Sequence, residues 1–253
     1  MSRQFGGKPL KPMNLLDLTL PSPAKNLACD EALLDTAETG EGGEVLRFWE
    51  SPQPFVVVGY ANKVAAEVNV ATCQSRDIPI LRRCSGGGTV VQGPGCLNYA
   101  LVLRIGPTSP TRSISAANQF IMERNRAALE SAIGNRQSAI QIQGHTDLTL
   151  RGLKFSGNSQ RRRRQFLLFH GTFLLNFDLP LVSQLLLMPS QQPAYRESRP
   201  HDDFLTNLNC LAQAVKSALC QAWGATTDAI PTPPPNLRAL VEKYSSRDWN
   251  WKF

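Results

Sequence analysis

A mixed β-sheet flanked by helices, an α/β (α+β) fold, is what the sequence predicts, on three observations. Short β-rich apolar runs are interspersed with longer stretches of helical periodicity, which puts both element types into one core. Several of the β-rich runs stand only a few residues apart, the spacing of hairpin neighbours, so antiparallel pairs are expected beside parallel ones. The 253 residues are 42% apolar and 19% charged, the make-up of a globular chain long enough to hold a core without disulfides or a metal.

Residues 1–13 are polar, contain Gly and Pro, and read as a loose arm. Ala24 to Thr39 reads as a helix with Asp30, Glu31 and Glu38 at solvated positions, ended by Gly40, Gly42 and Gly43. VLRFW at 45–49 and FVVVGY at 55–60 are β-rich runs on either side of Ser51-Pro52-Gln53-Pro54. IPILRR at 78–83 is a third strand. LNYALVL at 97–103 is a fourth, with Leu97, Tyr99, Leu101 and Leu103 alternating onto one face.

Ser113 to Ile133 has the apolar spacing of an amphipathic helix (Ile114, Ala117, Ile121, Ala128, Ala132) and stops at Gly134. Short strands follow at 139–143, 148–150 and 166–177. Asp178 and Pro180 start a helix over 180–188. Asp202 and Asp203 start a longer one carrying Phe204, Leu208, Leu211, Val215 and Leu219, closed by Gly224. IPTPPP at 230–235 is a stiff connector to a last short helix with Leu237, Leu240, Val241 and Tyr244. No internal repeat is present, and residues 1–253 read as one domain.

Composition narrows the function classes. There are 27 basic and 20 acidic residues, a net +7, which suits an acidic partner. The longest apolar runs, such as Phe166 to Phe169 and Leu185 to Met188, are too short to cross a bilayer. The N-terminus lacks the apolar stretch of a secretory signal, so a cytoplasmic location is expected. The six cysteines show no CxxC pair and no metal-type spacing with the three histidines, so reduced thiols are expected and a structural zinc site is not.

Three segments carry chemistry. Arg82-Arg83-Cys84-Ser85-Gly86-Gly87-Gly88-Thr89-Val90-Val91 leaves a strand and enters a glycine-rich turn. Three glycines let backbone N–H groups close round an anion, and two arginines add donors suited to phosphate or carboxylate. The same residues also suit a plain hairpin beside two solvated arginines. The spacing is neither that of a Walker loop nor of a dinucleotide fingerprint.

In the second segment, Asp147 precedes a strand pair and Lys154 lies on its return, within Gly152-Leu153-Lys154-Phe155-Ser156-Gly157. A carboxylate there can hold Mg²⁺, and a lysine can neutralise charge growing on a phosphate. An ordinary exposed hairpin lysine is the alternative. In the third, Phe169-His170-Gly171-Thr172 opens a strand after the run Arg161 to Arg164. A core or edge histidine and a solvated arginine loop are the plain alternatives; guidance of an acidic partner is the functional one.

Together these segments resemble the lipoate–protein ligase family, within the biotin/lipoate ligase and octanoyltransferase superfamily. The RRxSGGGxV signature matches residues 82–90, a GRNDL-like stretch matches Gly144 to Leu148, G-x-K-x-S-G matches Gly152 to Gly157, and HGT with its apolar strand matches 170–175. Weaker likenesses cover Asn26 to Leu34, Val57 to Asn62 with Glu67 and Asn69, and Glu242 to Asn250. The sequence departs from the pattern at Gln92 and Gly93, where His-Asp is frequent, and at Thr146, where Asn is usual.

The resemblance implies a biotin/lipoate ligase-like catalytic fold and a two-step reaction. Lipoate or octanoate would be activated with ATP to the acyl-AMP, then passed to a lysine of an acidic lipoyl domain. Such domains belong to 2-oxoacid dehydrogenase E2 subunits and the glycine cleavage H protein. Lys154 would be catalytic and Asp147 would help hold Mg²⁺. Arg83, the turn from Ser85 to Val91, Asn98, Ser156, Gly157, His170, Gly171 and Thr172 would hold the adenylate and acyl groups. Because the chain stops near the end of the catalytic domain, it is expected either to need a separate accessory protein or only to transfer acyl groups. Two rivals remain. One is an octanoyl- or lipoyl-transferase using a thioester or acyl-adenylate, with Cys84 and Cys96 as the only local thiols. The other is a nucleic-acid-binding or regulatory relative, which lacks the expected aromatic–basic interleaving. The GRGRxG-type loop expected for biotin ligation is absent.

Overall fold

The computed structural model describes residues 13–134, 140–226 and 234–253. Its strands are β1 (Met13–Asp17), β2 (Val45–Trp49), β3 (Phe55–Val58), β4 (Ile80–Arg82), β5 (Val90–Gln92), β6 (Cys96–Arg104), β7 (Ile140–Gln143), β8 (Asp147–Leu150), β9 (Leu153–Arg162), β10 (Phe166–Leu174) and β11 (Ala225–Thr226). Its helices are α1 (Pro23–Glu38), α2 (Val64–Glu67), α3 (Val70–Ser75), α4 (Ile114–Ile133), α5 (Pro180–Leu185), α6 (His201–Phe204), α7 (Ala212–Trp223), α8 (Leu237–Ser245) and α9 (Arg247–Asn250). The loose arm over 1–12, Ala139 of the strand at 139–143 and residues 230–233 of the connector lie outside the described residues.

The strands form two mixed sheets. The large one runs β11-β1-β2-β6-β10-β9-β8-β7 and the small one β4-β3-β5. Among the described residues, the parallel pairs of the large sheet are β1 with β2 and β1 with β11; β3 is parallel to β4 and antiparallel to β5.

β6 explains the layering. Leu97, Tyr99, Leu101 and Leu103 point toward α4 and α7, against Ile121, Leu129, Val215 and Leu219. Ala100 and Val102 point the other way, onto Cys29, Leu33 and Leu34 of α1. With both faces covered, the strand reads as a continuous apolar run. Each large side chain so buried contributes about 1.5–3 kcal/mol. The small sheet lies beyond α1. Its Val56, Val58 and Val91 pack on α5, while Phe55 and Val57 pack with Leu27 and Ala28 of α1 and Tyr244 of α8.

Local signals set most boundaries. Ser22 caps α1 by accepting from the Lys25 N–H, and Ser113 caps α4 by accepting from Ala116. Such a cap contributes about 1 kcal/mol. Gly224 closes α7 in the left-handed conformation.

The structure corrects three expectations. Asp30 and Glu31 are not solvated: they are 2% and 4% exposed, because α1 is covered on several sides. The helix expected from Asp202 to Gly224 is two, α6 and α7. Between them the N–H groups of Thr206, Leu208 and Asn209 donate to the carbonyls of Lys154, Leu174 and Leu175. These carbonyls, at the start of β9 and the end of β10, replace a helical ladder. α5 stops at Leu185, after which Leu186 bridges to Val68 and the Leu187 N–H donates to Glu67. Among the described residues no helix is long and apolar enough to cross a membrane.

Candidate functional site at the seam of the two sheets

The glycine turn joins β4 to β5 and so hangs from the small sheet. The two arginines at its entrance are not solvated, as the plain hairpin would have them. Arg82 is fully buried and donates to the carbonyls of Gly59, Tyr60, Asn62, Trp249 and Asn250. It ties the loop after β3 to the C-terminal helix α9. Arg83 folds back onto the turn, donating to Gly86 O at 2.5 Å, Gly88 O at 2.7 Å and Ser85 Oγ at 3.2 Å. Burial pushes its pKa down to about 10. Its role in this structure is to draw the turn's carbonyls inward.

Gly86, Gly87 and Gly88 are exposed, and among the described residues their N–H groups have no protein acceptor. That is the arrangement of an anion nest. Gly87 has φ +85°, where a side chain is strained.

Buried bonds fix the turn to the large sheet. Ser85 Oγ lies 2.5 Å from His170 Nε2 on β10, and His170 Nδ1 lies 3.5 Å from Asp30 on α1. Asp30 in turn accepts from Arg47 of β2 at 2.5 Å, and Arg47 also donates to Asn26 and to Leu18 O. Ser85 is 1% exposed, and its hydroxyl holds the turn. From β9, Ser159 Oγ donates to Gly86 O at 2.9 Å. Asn62 donates to Thr89, and Val91 is core under α5 while Val90 is partly buried.

Lys154 and Asp147 meet on β8 and β9. Lys154 Nζ is 2.8 Å from Asp147 Oδ1, and the Tyr195 hydroxyl donates to Asp147 Oδ2 at 2.7 Å. A register irregularity between Leu148 and Thr149 accompanies the pairing of Lys154 with Thr149. A Cβ on Gly157 would stand 2.9 Å from Lys154 Nζ, so the ammonium reaches the carboxylate across a bare backbone. Burial and the Asp147 charge push the Tyr195 hydroxyl well above its ordinary pKa.

Gly157 is in register with Thr172, whose Oγ1 donates to Asn98 and accepts from Gln92. Gln92, standing where His is frequent, thereby joins the polar floor near Lys154, and its own Oε1 is buried without a partner.

Two expected site residues face away. Ser156 is 1% exposed and accepts from Asn158, and Gly171 leaves room for the Asn158 amide. Thr146, in place of Asn, donates to Asn158 O. The residues missed from the sequence are Asp30, Arg47, Ser159 and Tyr195. The first two are ordinary charges in ordinary elements. Tyr195 sits in a loop with no periodicity.

Asp147, the carboxylate expected to help hold Mg²⁺, is engaged within the protein. Among the described residues no three His, Cys, Asp or Glu side chains cluster, and both Asp147 oxygens already have donors. The arginine run also divides. Arg163 pairs with Asp35 and Glu31, Arg162 donates to the Thr111 and Arg112 carbonyls, and only Arg164 is exposed.

The lysine–aspartate pair and the open glycine turn are both carried where the large mixed sheet meets the small one. The family model described as the lipoyl protein ligase A/B catalytic domain matches residues 22–222, and the chain belongs to that family. It is 25% identical to the octanoyltransferase LipM of Carboxydothermus hydrogenoformans, over 92% of this chain and 96% of that one. A lipoate-protein ligase A solved with bound ATP superposes with a TM-score of 0.77 at 25% identity, covering 95% and 99% of the two chains. The fold is shared with a bi-partite lipoate protein ligase of Thermoplasma acidophilum, at TM-score 0.80 and 22% identity over 95% and 96%.

Proposed function

We propose that the protein is a lipoate–protein ligase that uses ATP. A lipoate carboxylate oxygen attacks the α-phosphorus of ATP and pyrophosphate leaves, giving lipoyl-AMP. A lysine amine of a lipoyl domain then attacks the acyl carbonyl. AMP leaves, the nitrogen loses a proton and an amide remains.

The observation that carries this reading is the Lys154 ammonium, held at 2.8 Å by Asp147 within the site that includes the glycine turn. A fixed positive charge stabilises the charge that grows on the α-phosphate and later on the carbonyl oxygen. Asp147 aims the ammonium, and Tyr195 keeps Asp147 from following it toward substrate. The unpaired N–H groups of Gly86 to Gly88 suit phosphate or carboxylate oxygens. His170 and Ser85 hold that nest in place, and Thr172, Asn98 and Gln92 form the polar floor. The ATP-bound ligase relative supports the nucleotide.

A second reading, an octanoyltransferase of the same fold, is favoured by the LipM relative. The cysteines speak against its thioester form. Leu153, Phe155 and Ser156 flank Lys154, and burial pushes the thiols of Cys84 and Cys96 up to about 12. A nucleophilic thiolate needs the opposite shift.

The test is a mass assay on a purified lipoyl domain with three donors: lipoate plus Mg-ATP, lipoyl-AMP, and an octanoyl carrier protein. Lipoylation from lipoate and ATP is expected. Modification by the carrier protein alone, with no lipoyl-AMP formed from ATP, would replace the ligase with the transferase.

A further inference from the structure

Tyr99, Gly171 and Asn158 stand in one row across three strands. Gly171 of β10 is in register with Tyr99 of β6 on one side and with Asn158 of β9 on the other. Gly171 has no side chain, and a Cβ there would collide with Asn158 Oδ1. The Asn158 amide therefore reaches across the middle strand, where its Oδ1 accepts from the Tyr99 hydroxyl at 2.6 Å. Behind Tyr99 the bonds continue into the helices. Asn125 Nδ2 of α4 donates to the Tyr99 oxygen at 2.9 Å, and Trp223 Nε1 of α7 donates to Asn125 Oδ1 at 2.8 Å. Tyr99, Asn125 and Trp223 are all buried.

On the side of the site, Asn158 Nδ2 donates to Thr146 O at 2.7 Å, and Thr146 Oγ1 donates back to Asn158 O at 2.7 Å. Thr146 immediately precedes Asp147. Asp147 is in register with Gly157, the bare residue over which the Lys154 ammonium reaches its carboxylate.

The chain of bonds runs one way. An indole N–H only donates, so Asn125 turns its oxygen to Trp223 and its amide nitrogen to Tyr99. The Tyr99 oxygen, accepting from Asn125, has its own hydrogen left for Asn158 Oδ1. That leaves the Asn158 amide nitrogen facing the Thr146 carbonyl, the orientation that the reciprocal pair with Thr146 requires. Burial pushes the Tyr99 hydroxyl well above its ordinary pKa, so it remains a donor at neutral pH.

We propose that Asn158 is a positioning residue for the lysine–aspartate pair. Oriented by Trp223, Asn125 and Tyr99, it fixes Thr146 and thereby the Asp147 carboxylate that aims Lys154. This rests on the role given to Lys154 above. Asn158 acts through Thr146 and Asp147 and needs no contact with substrate. Thr146, standing where Asn is usual, is matched to Asn158: its hydroxyl returns the bond that the amide gives.

The experiment measures kcat and both KM values for lipoyl-AMP formation from lipoate and ATP. It compares the wild type with Asn158→Ala, Tyr99→Phe, Thr146→Val and Thr146→Ser, each checked by circular dichroism and melting temperature. Asn158→Ala and Thr146→Val are expected to lower kcat about tenfold while both KM values stay within about twofold, the split of a misplaced catalytic group. Tyr99→Phe keeps the ring and its stack on Phe173, and should lower kcat about threefold. Thr146→Ser returns the hydroxyl and should recover most of the rate that Thr146→Val loses. Valine is the closer match in shape, so a role in packing alone gives the reverse order. If Asn158→Ala fails to fold, the two Thr146 variants carry the test. Wild-type kcat in folded Asn158→Ala and Thr146→Val overturns the proposal, whatever their melting temperatures. So does a Thr146→Ser as slow as Thr146→Val. A raised KM for lipoate or ATP with kcat unchanged also overturns it, since Asn158 would then serve substrate binding. A wild type that makes no lipoyl-AMP but transfers octanoyl from a carrier protein sinks the ligase reading alone, and the same order of variants is then expected in that transfer.

Discussion

At the scale of single residues, the proposed chemistry rests on how one ammonium is held. Lys154 is half-buried, has one carboxylate partner, and lies over a residue with no side chain. Lys154→Met removes the charge and keeps most of the volume, so the fold should persist. Lipoyl-AMP formation should then fall by at least about 10²–10³-fold, the usual loss of a preorganised charge stabiliser. Near-normal turnover in a folded variant would remove Lys154 from the chemistry. Tyr195→Phe probes the next bond out. It leaves Asp147 Oδ2 without its donor, so the carboxylate can swing with the lysine. Adenylate formation is expected to slow about tenfold, with the acceptor's KM unchanged. An equal rate would make the Tyr195 bond structural only. Lys154 and Gly157 were legible because they share one short motif. Tyr195 was not, since it stands 41 residues further on (195 − 154 = 41) and reaches Asp147 only after the chain has turned back.

At the scale of elements, α1 shows what periodicity conveys and what it hides. Its span is legible from the helical stretch Ala24 to Thr39 and the glycines that end it, but its charged positions mislead, because a sequence does not say how many sides of a helix will be covered. Asp30 goes to Arg47 and His170, while Glu31 goes to Lys243, Tyr244 and Arg163. The helix expected from Asp202 fails for a related reason. The carbonyls of Lys154, Leu174 and Leu175, at the ends of β9 and β10, capture the N–H groups of Thr206, Leu208 and Asn209, a tertiary effect no local pattern announces. The buried Asp30–Arg47 pair has a measurable consequence. Arg47→Met strands a carboxylate that is nearly out of water, which costs about 3–5 kcal/mol. For a chain of this size that lowers the melting temperature by about 6–20 °C. The double variant Arg47→Met, Asp30→Leu should recover part of the loss, because it removes the orphaned charge. No loss in the single variant would mean that Asp30 finds another donor.

At the scale of the whole molecule, the site lies where the small sheet's turn meets the large sheet's strands, so each half needs the other. The mixed sheet was legible from β-rich runs at hairpin spacing. The seam was not, because Ser85, His170 and Asp30 come from β4–β5, β10 and α1, and only packing brings them together. The same packing decides the state of the thiols. Burial raises Cys29 from its ordinary 9.0 to about 11, and Cys84 and Cys96 to about 12. In the unfolded chain these thiols ionise above pH 9; in the folded protein they stay protonated. Their contribution to stability is therefore fully present below pH 9 and is lost as pH rises toward 11–12. Urea midpoints should be insensitive to these groups between pH 7 and 8.5 and should fall above pH 9. The variant Cys29→Ala, Cys84→Ala, Cys96→Ala should show a shallower alkaline fall. Iodoacetamide at pH 8 should leave all three unmodified in the native protein, and lipoyl transfer should survive the treatment. Modification of Cys84 or Cys96 with loss of transfer would show that a thiolate is reachable at the turn, and would return the thioester mechanism to first place.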